Sequence, residues 1–226
     1  MIPEILYEDN HIIAVNKKPS DLSQGDSSGD ETLEDNIKVY LAEKYNKPGE
    51  AYLGVVHRLD RPVGGVIIYA RTSKALTRLN EIFRTREVKK VYWAIVKEQP
   101  PEEEGTLNHY IKKNEKQNKS YVYDHEVKGS KNASLTYKII GRSDRYYLLE
   151  IDLHTGRHHQ IRAQLSSIGC PIKGDLKYGY PRSNEDGGIS LLSRRIEFVH
   201  PVKKEKLVLT APIPREDAWK AFRDIV

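Results

Sequence analysis

Hydrophobic positions along the 226-residue chain fall into short runs typical of strands and into stripes typical of helices. Runs rich in β-branched and aromatic residues predict strands. These runs lie at 5–7, 12–15, 66–70, 88–97, 134–140, 145–154, 189–199 and 206–211. Apolar residues three or four positions apart predict helices that begin after Thr32, at Ser73 and after Thr155-Gly156, and Pro214 can begin a short closing helix.

The order of these elements predicts an α+β fold. Strands outnumber helices and often follow one another directly, which favours a mixed, mostly antiparallel central sheet flanked by helices and loops. The polar segment 20–35 is expected to form a surface loop, and the lysine-rich segment 105–133 shows no clear pattern. No internal repeat or linker divides the sequence, so a single domain over residues 1–226 is predicted.

Composition narrows the class of protein. Charged residues make up 31% and hydrophobic residues 38%, as in a soluble globular protein, and the net charge of +5 favours a polyanionic partner. The single cysteine, Cys170, excludes an internal disulfide and a multi-cysteine metal site. No apolar run has the length of a membrane span or the form of a secretion signal. A cytoplasmic protein without a membrane partner is therefore expected.

Several cofactor motifs are missing from the sequence. It has no phosphate-binding P-loop, no dinucleotide glycine motif, no zincin helix and no serine-hydrolase elbow. His154 and His158 are separated by a Thr-Gly turn, and His158 and His159 are adjacent, so neither pair suits a metal site. A reaction without cofactor or metal is expected.

The stretch HRLDRPVGGVIIYA places Asp60 between Arg58 and Arg61, just ahead of an apolar strand. Positive neighbours favour the ionised carboxylate, which suits a nucleophile or an electrostatic stabiliser. The alternative is a surface ion pair that orients a loop. Pro62, the glycines at 64–65 and the strand behind them favour the functional interpretation, because they mount the carboxylate rigidly.

Two further stretches carry candidate chemistry. In 153–175, the turn at Gly156 opens a helix whose start could bind a phosphate together with Arg157, His158 and Arg162, unless this is only an amphipathic helix with a basic face. Tyr92 follows two lysines on a predicted strand and could stack on a nucleobase, although tyrosine is also an ordinary strand residue.

Taken together, these stretches resemble the RluA family of pseudouridine synthases. The matching motifs run in the family's order from about residue 5 to 201: NKKP, HRLD with its glycine step and ART, KKVYWA, TGRHHQIR and PIKGDLKYG. The resemblance implies isomerisation of specific uridines in ribosomal or transfer RNA to pseudouridine, without cofactor or metal. A monomer is expected.

The resemblance also implies roles for individual residues. Asp60 would be the nucleophile, Tyr92 would stack on the target base and help to remove its carbon-5 proton, and Arg162 would pair with the catalytic carboxylate. Arg58 would fill the space left by the flipped base. The basic neighbours of these residues, namely Arg61, Arg157 and His158, are expected to contact RNA.

The chain departs from the family pattern at two places. Val63-Gly64 stands where many members have Thr-Ser, and Ser-Asp follows Pro19 where a small residue and glycine are usual. An S4-like N-terminal RNA-binding domain is not expected, since the resemblance begins almost at Met1. Two other functions remain open: a non-catalytic RNA-binding protein or RNA chaperone, and a metal-dependent nuclease.

Overall fold

The computed structural model describes residues 3–25, 29–46, 48–215 and 217–225. The internal contacts of the chain divide it into two compact units. Unit 1 is Met1–Lys89 with Ser193–Pro212, and unit 2 is Lys90–Leu192 with Ile213–Val226. A single domain over 1–226 stays a prediction, because grouping by contacts does not test whether the units act separately.

Unit 1 is a sheet with two helices. Its strands are β1 (Glu4–Glu8), β2 (Ile12–Lys17), β3 (Gly54–Val55), β4 (Gly64–Ala70), most of β10 (Leu191–Val199) and β11 (Lys206–Thr210). They lie in the order β1-β2-β4-β10, with β3 beside β4 and β11 beside β10. Four strand pairings in this unit are antiparallel: β1 with β2, β2 with β4, β3 with β4, and β10 with β11. The helices are α1 (Leu33–Lys44) and α2 (Ser73–Arg84).

Local sequence signals explain the helix ends in unit 1. The Thr32 hydroxyl accepts the Asp35 backbone N–H, while the Asp35 carboxylate accepts the Thr32 N–H, which forms a capping box. Helix α2 begins at Ser73 as predicted, but its cap is Thr72, whose hydroxyl accepts the Ala75 N–H. Behind the helices, β4 is buried along its whole length, so it gives the loop that precedes it a rigid base.

Unit 2 is an antiparallel sheet with two short helices. Its strands are β5 (Lys89–Val96), β6 (Glu104–Asn114), β7 (Lys119–Tyr123), β8 (Lys131–Arg142) and β9 (Tyr147–Leu153), in the order β5-β9-β8-β6-β7. The helices are α3 (Gln160–Ser167) and α4 (Asp217–Lys220), with 3₁₀ turns at Leu176–Tyr178 and Arg223–Ile225. The predicted α+β class with a mostly antiparallel sheet is confirmed.

Three local predictions are corrected. The segment 105–133, which showed no pattern, contains the β6–β7 hairpin and the start of β8. The helix expected after Thr155-Gly156 begins only at Gln160, because His159 has a left-handed backbone with φ of 53° and forms its N-cap. The closing helix begins at Asp217 and not at Pro214. Part of the loop predicted for 20–35, residues 26–28, lies outside the described residues.

None of the helices within the described ranges is both long enough and apolar enough to cross a membrane.

Candidate active site

Asp60 lies in unit 1, half-buried on the loop that joins β3 to β4. Its backbone carbonyl accepts the Val63 N–H at 3.0 Å, which closes a turn over Arg61-Pro62. The preceding residue is bound by the Ser23 hydroxyl, which donates to the Leu59 carbonyl at 3.0 Å. The following residue is bound by the Ser20 N–H, which donates to the Arg61 carbonyl at 2.9 Å. The backbone is therefore fixed on both sides of the carboxylate.

A buried lysine supports the same loop. Lys17 is 1% exposed, and its ammonium donates to the carbonyls of Lys18 at 3.0 Å, Arg61 at 2.9 Å and Val63 at 2.7 Å. Burial lowers the pKa of Lys17 to about 8, while the negative charges of Asp21 and Asp60 act in the opposite direction. We call Lys17, Ser20 and Ser23 the loop support. These three residues lie in the NKKP motif and the polar segment that follows it, and the sequence did not indicate their role.

Glycine is required at the end of the Asp60 loop. Gly65 has φ of +110°, and a Cβ there would lie 2.3 Å from the Ser193 carbonyl oxygen. A Cβ on Gly64 would lie 3.2 Å from the Lys17 carbonyl oxygen and 3.4 Å from Pro19 Cδ, which is a tight fit. The glycine at 64, one of the departures from the family pattern, therefore matches the close approach of the Lys17–Pro19 segment.

The two arginines beside Asp60 differ in their surroundings. Arg61 donates through Nε to the Ser20 carbonyl at 3.2 Å and forms an exposed ion pair with Asp30 at 3.1 Å. Arg58 is exposed, and no hydrogen bond or ion pair involves its guanidinium in the part of the chain that the structure describes. His57 is structural: its Nε2 accepts the Ile68 N–H at 3.1 Å, and its ring stacks on Phe83.

In unit 2, Tyr92 and Arg162 are both buried. Tyr92 is 8% exposed on β5, opposite Ile151 of β9. Arg162 is 5% exposed on α3 and forms two hydrogen bonds with the buried Asp175, from Nε at 2.7 Å and from Nη2 at 2.9 Å. A bidentate pair of this kind fixes the plane of the guanidinium. The role of Asp175 was missed, although the GD step that contains it had been noted.

The start of α3 is held by side chains of the protein itself. The Gln160 side-chain oxygen accepts both the Thr155 hydroxyl at 2.7 Å and the Arg157 N–H at 3.0 Å. Arg157 Nε donates to the Asn132 carbonyl at 2.8 Å. The Arg157 N–H, which the sequence offered to a phosphate, thus already has a partner within the protein.

His158 is held between the hairpin and a second histidine. Its Nδ1 lies 2.9 Å from the Ser120 hydroxyl, its Nε2 lies 3.1 Å from Asn118 Oδ1, and its ring stacks on His159 at 3.7 Å. The pKa of His159 is lowered to about 2, mainly because the ring is buried and secondly because of the positive charge of Arg162. The buried imidazole of His159 is therefore neutral at physiological pH.

The predicted site residues fall into two groups. Unit 1 holds Arg58, Asp60 and Arg61, whereas unit 2 holds Tyr92, Arg157, His158 and Arg162. Across the ranges given above for the structure, no group of three or more histidine, cysteine, aspartate or glutamate side chains could hold a metal ion.

Comparisons with known proteins bear on this arrangement. A family model described as RNA pseudouridylate synthase matches residues 11–167. Ribosomal large subunit pseudouridine synthase C of Buchnera aphidicola subsp. Baizongia pistaciae is 31% identical over 217 residues, which cover 92% of this chain and 66% of that protein. Ribosomal large subunit pseudouridine synthase D of Xylella fastidiosa is 32% identical over 229 residues, which cover 94% and 66%. The chain thus spans about two thirds of the length of these relatives.

A solved structure shares the fold. Human RNA Pseudouridylate Synthase Domain Containing 4 superposes with a TM-score of 0.77 at 24% identity, over 94% of this chain and 89% of that one.

Proposed function

This chain belongs to the RNA pseudouridylate synthase family, and from that premise we propose that it isomerises specific uridines in RNA to pseudouridine. The observation that carries the proposal is Asp60: a half-buried carboxylate on a loop whose backbone is bound on both sides by the loop support. A nucleophile that must meet one atom of a flipped base needs such rigidity, because small displacements of reacting groups cost large factors in rate.

Asp60 is the proposed nucleophile. Its carboxylate attacks either the uracil ring or the anomeric carbon of the sugar, and the N-glycosidic bond breaks. The base then rotates and rejoins the sugar through carbon 5, and the bond between Asp60 and the RNA breaks, which restores the free carboxylate. Carbon 5 loses its proton and nitrogen 1 gains one, so the product is an isomer of the substrate and no redox partner is required.

Residues of unit 2 are proposed to assist. Tyr92 stacks on the target base and helps to remove the carbon-5 proton, and Arg162 stabilises the catalytic carboxylate. Burial of both side chains supports these roles, since a dry site strengthens each electrostatic contact.

Exposed cations are proposed to receive the RNA. The exposed guanidinium of Arg58 is available to fill the space that the flipped nucleotide leaves, which offsets part of the cost of unstacking, a few kcal/mol. Arg61, Arg157 and His158 are proposed as further contacts to the RNA.

Ribosomal RNA is the first substrate class to test, because two of the relatives carry the large ribosomal subunit in their names. Transfer RNA is the alternative. We further propose that the protein acts as a monomer in the cytoplasm.

The test uses RNA from a strain that lacks the gene. Purified protein is incubated with that RNA, and pseudouridine is mapped by chemical modification and sequencing. The wild type restores pseudouridine at one or a few positions, whereas Asp60→Asn restores none. Asp30→Asn is the matched control, because it neutralises an exposed aspartate that pairs with Arg61, and it keeps the wild-type rate.

Two outcomes would contradict the proposal. If Asp60→Asn restores pseudouridine at the wild-type rate, the nucleophile is another group. If the wild type binds RNA but restores no pseudouridine, the protein is a non-catalytic RNA binder.

A further inference from the structure

A 3₁₀ turn places Tyr178 close to Asp175. The turn Leu176–Tyr178 follows Asp175 directly, and the Tyr178 N–H donates to the Asp175 carbonyl at 3.1 Å. Side chains three positions apart project from the same side of a 3₁₀ turn. The D-L-K-Y spacing therefore presents a carboxylate and a phenol ring to the same neighbour, which is Arg162.

These two side chains hold the Arg162 guanidinium in different directions. Asp175 binds its edge with two hydrogen bonds, and the Tyr178 ring centroid lies 5.1 Å from the guanidinium carbon. The carboxylate fixes the plane of the guanidinium, and the ring attracts the same group through its π face. All three side chains are buried, so each contact is weakly screened by water.

The Tyr178 hydroxyl binds a part of the chain that is distant in sequence. It accepts the Ser120 N–H at 2.8 Å, lies 3.3 Å from the Ser120 carbonyl oxygen and lies 3.0 Å from His159 Nδ1. Ser120 belongs to β7, so the phenol is attached to the backbone of the β6–β7 hairpin. A ring that served only to fill space would not need three polar partners at its hydroxyl.

The same hairpin is attached to the start of α3 at a second point. The Ser120 hydroxyl donates to the His158 carbonyl at 2.7 Å, and Asn118 contacts the His158 ring. Asn118 and His159 both have left-handed backbones, with φ of 44° and 53°. His159 adopts this backbone conformation although it is neither glycine nor asparagine, so the surrounding bonds determine its geometry closely.

We infer that Tyr178 is a positioning residue for Arg162, and that the β6–β7 hairpin is the support against which Tyr178 holds it. The inference deepens the proposed function and rests on it only for the catalytic consequence.

The experiment compares Tyr178→Phe with Tyr137→Phe. Tyr137 is the matched control, because it is 2% exposed, lies on β8 in the same unit, packs against Gly105 and bonds the Glu102 backbone through its hydroxyl. Each variant removes one buried hydroxyl and keeps the ring, so general destabilisation affects both. His159→Asn is a second variant, which removes one partner of the Tyr178 hydroxyl and keeps Tyr178 itself.

The first readout needs no substrate. Solvent exchange of the Arg162 Nε–H proton, followed by NMR, accelerates by about tenfold in Tyr178→Phe, by a smaller factor in His159→Asn, and stays at the wild-type rate in Tyr137→Phe. Equal exchange in all four proteins overturns the inference. Should Tyr178→Phe fail to fold, His159→Asn against Tyr137→Phe decides the same question.

The second readout is the single-turnover rate on the RNA in which the wild-type protein restores pseudouridine. Tyr178→Phe slows turnover by about tenfold with RNA affinity within about threefold of the wild type, and Tyr137→Phe keeps both. If the wild type is active and Tyr178→Phe has the same turnover rate, the inference is wrong while the proposed function stands. A wild type that forms no pseudouridine contradicts the proposed function alone, since the exchange measurement still decides the position of Arg162.

Discussion

The ammonium of Lys17 donates to two carbonyls of the Asp60 loop, those of Arg61 and Val63. Replacement by methionine keeps the length and the apolar stem of the side chain but removes the donor to the Val63 carbonyl, while the Arg61 and Lys18 carbonyls keep the backbone N–H groups of Ser20 and Asp21. A buried carbonyl that loses its donor costs free energy, so Lys17→Met is expected to lower the free energy of unfolding by about 2 kcal/mol and to slow turnover. Urea denaturation and single-turnover assays measure both quantities.

Lys18→Met is the control for this prediction. Lys18 is adjacent and exposed, and the same substitution there is expected to change stability by less than about 0.5 kcal/mol. Equal stability of the two variants would show that the Lys17 ammonium does not support the loop.

At the scale of single residues, the sequence predicted groups that sit in recognisable motifs and missed those that act across the fold. Asp60, Tyr92 and Arg162 are identifiable because each lies in a short motif. Lys17 and Ser23 bind residues 46 and 36 positions away, and nothing in their immediate sequence marks those partners. Asp175 lies in a noted motif, yet its pairing with Arg162 depends on how the turn after α3 folds back.

At the scale of elements, β4 depends on the glycine near its start. Gly65→Ala would require φ of +110° from a residue with a Cβ and would place that Cβ 2.3 Å from the Ser193 carbonyl oxygen of β10. Because the obstructing atom is backbone, β4 and β10 would have to separate. The variant is expected to lose about 3 kcal/mol or more of unfolding free energy, measured by urea denaturation.

Gly25→Ala provides the comparison. A Cβ on Gly25 has no atom within 4 Å, so this variant is expected to keep the wild-type stability. A folded Gly65→Ala protein as stable as Gly25→Ala would mean that the end of the Asp60 loop tolerates a side chain, and that glycine is not required there.

The β6–β7 hairpin is the element that the sequence did not reveal. Only Ile111 of β6 and Ser120 of β7 are buried. The inward positions 105, 107, 109 and 111 of β6 alternate with outward-facing ones, but two of them are glycine and histidine, so the strand has a weak apolar pattern. In contrast, α1 is predictable because its capping box and its buried face are local. Elements that bury little surface are fixed by contacts such as those of Tyr178, and these are not visible in a window of sequence.

The hairpin also carries exposed lysines that fit a role in RNA binding. Lys112 and Lys116 lie on its exposed end, and the double variant Lys112→Gln/Lys116→Gln is expected to weaken RNA binding. Each lost phosphate contact reduces the slope of log affinity against log salt by about 0.7 to 0.9. Lys74→Gln/Lys204→Gln removes the same charge from exposed positions of unit 1 and is expected to keep the wild-type slope. Equal slopes in the two variants, measured by filter binding, would exclude a hairpin contact.

At the scale of the whole molecule, the order of elements was enough to predict the α+β class, but the division into two units was not predictable. Unit 1 joins residues 1–89 to the distant segment 193–212, and unit 2 takes residues from both sides of that segment. Such a division follows from long-range pairing, as between β4 and β10, and composition along the chain gives no boundary.

Acid sensitivity is a property of the whole molecule, because the responsible histidines lie in both units. Burial lowers the pKa of His159 in unit 2 to about 2, and burial also lowers the pKa of His200 in unit 1. His200 Nδ1 accepts the backbone N–H groups of Val202 and Lys203, which holds its ring in the neutral form. The Asp9 carboxylate, 3.0 Å from His200 Nε2, acts in the opposite direction on the pKa of His200. Below the usual histidine pKa of about 6.5, the unfolded chain therefore binds more protons at these two positions than the folded chain does.

Stability is therefore expected to fall as the pH drops below about 6.5, and His159 alone contributes a slope of about 1.4 kcal/mol per pH unit down to its folded pKa. His159→Asn/His200→Asn removes both groups, and asparagine tolerates the left-handed backbone at 159 and supplies an oxygen acceptor at 200. Urea denaturation from pH 7 to pH 4 should give a shallower loss of unfolding free energy for this variant than for the wild type. His125→Asn, at an exposed position, is the control and should keep the wild-type slope. Parallel slopes in all three proteins would mean that groups other than His159 and His200 account for the loss of stability between pH 7 and pH 4.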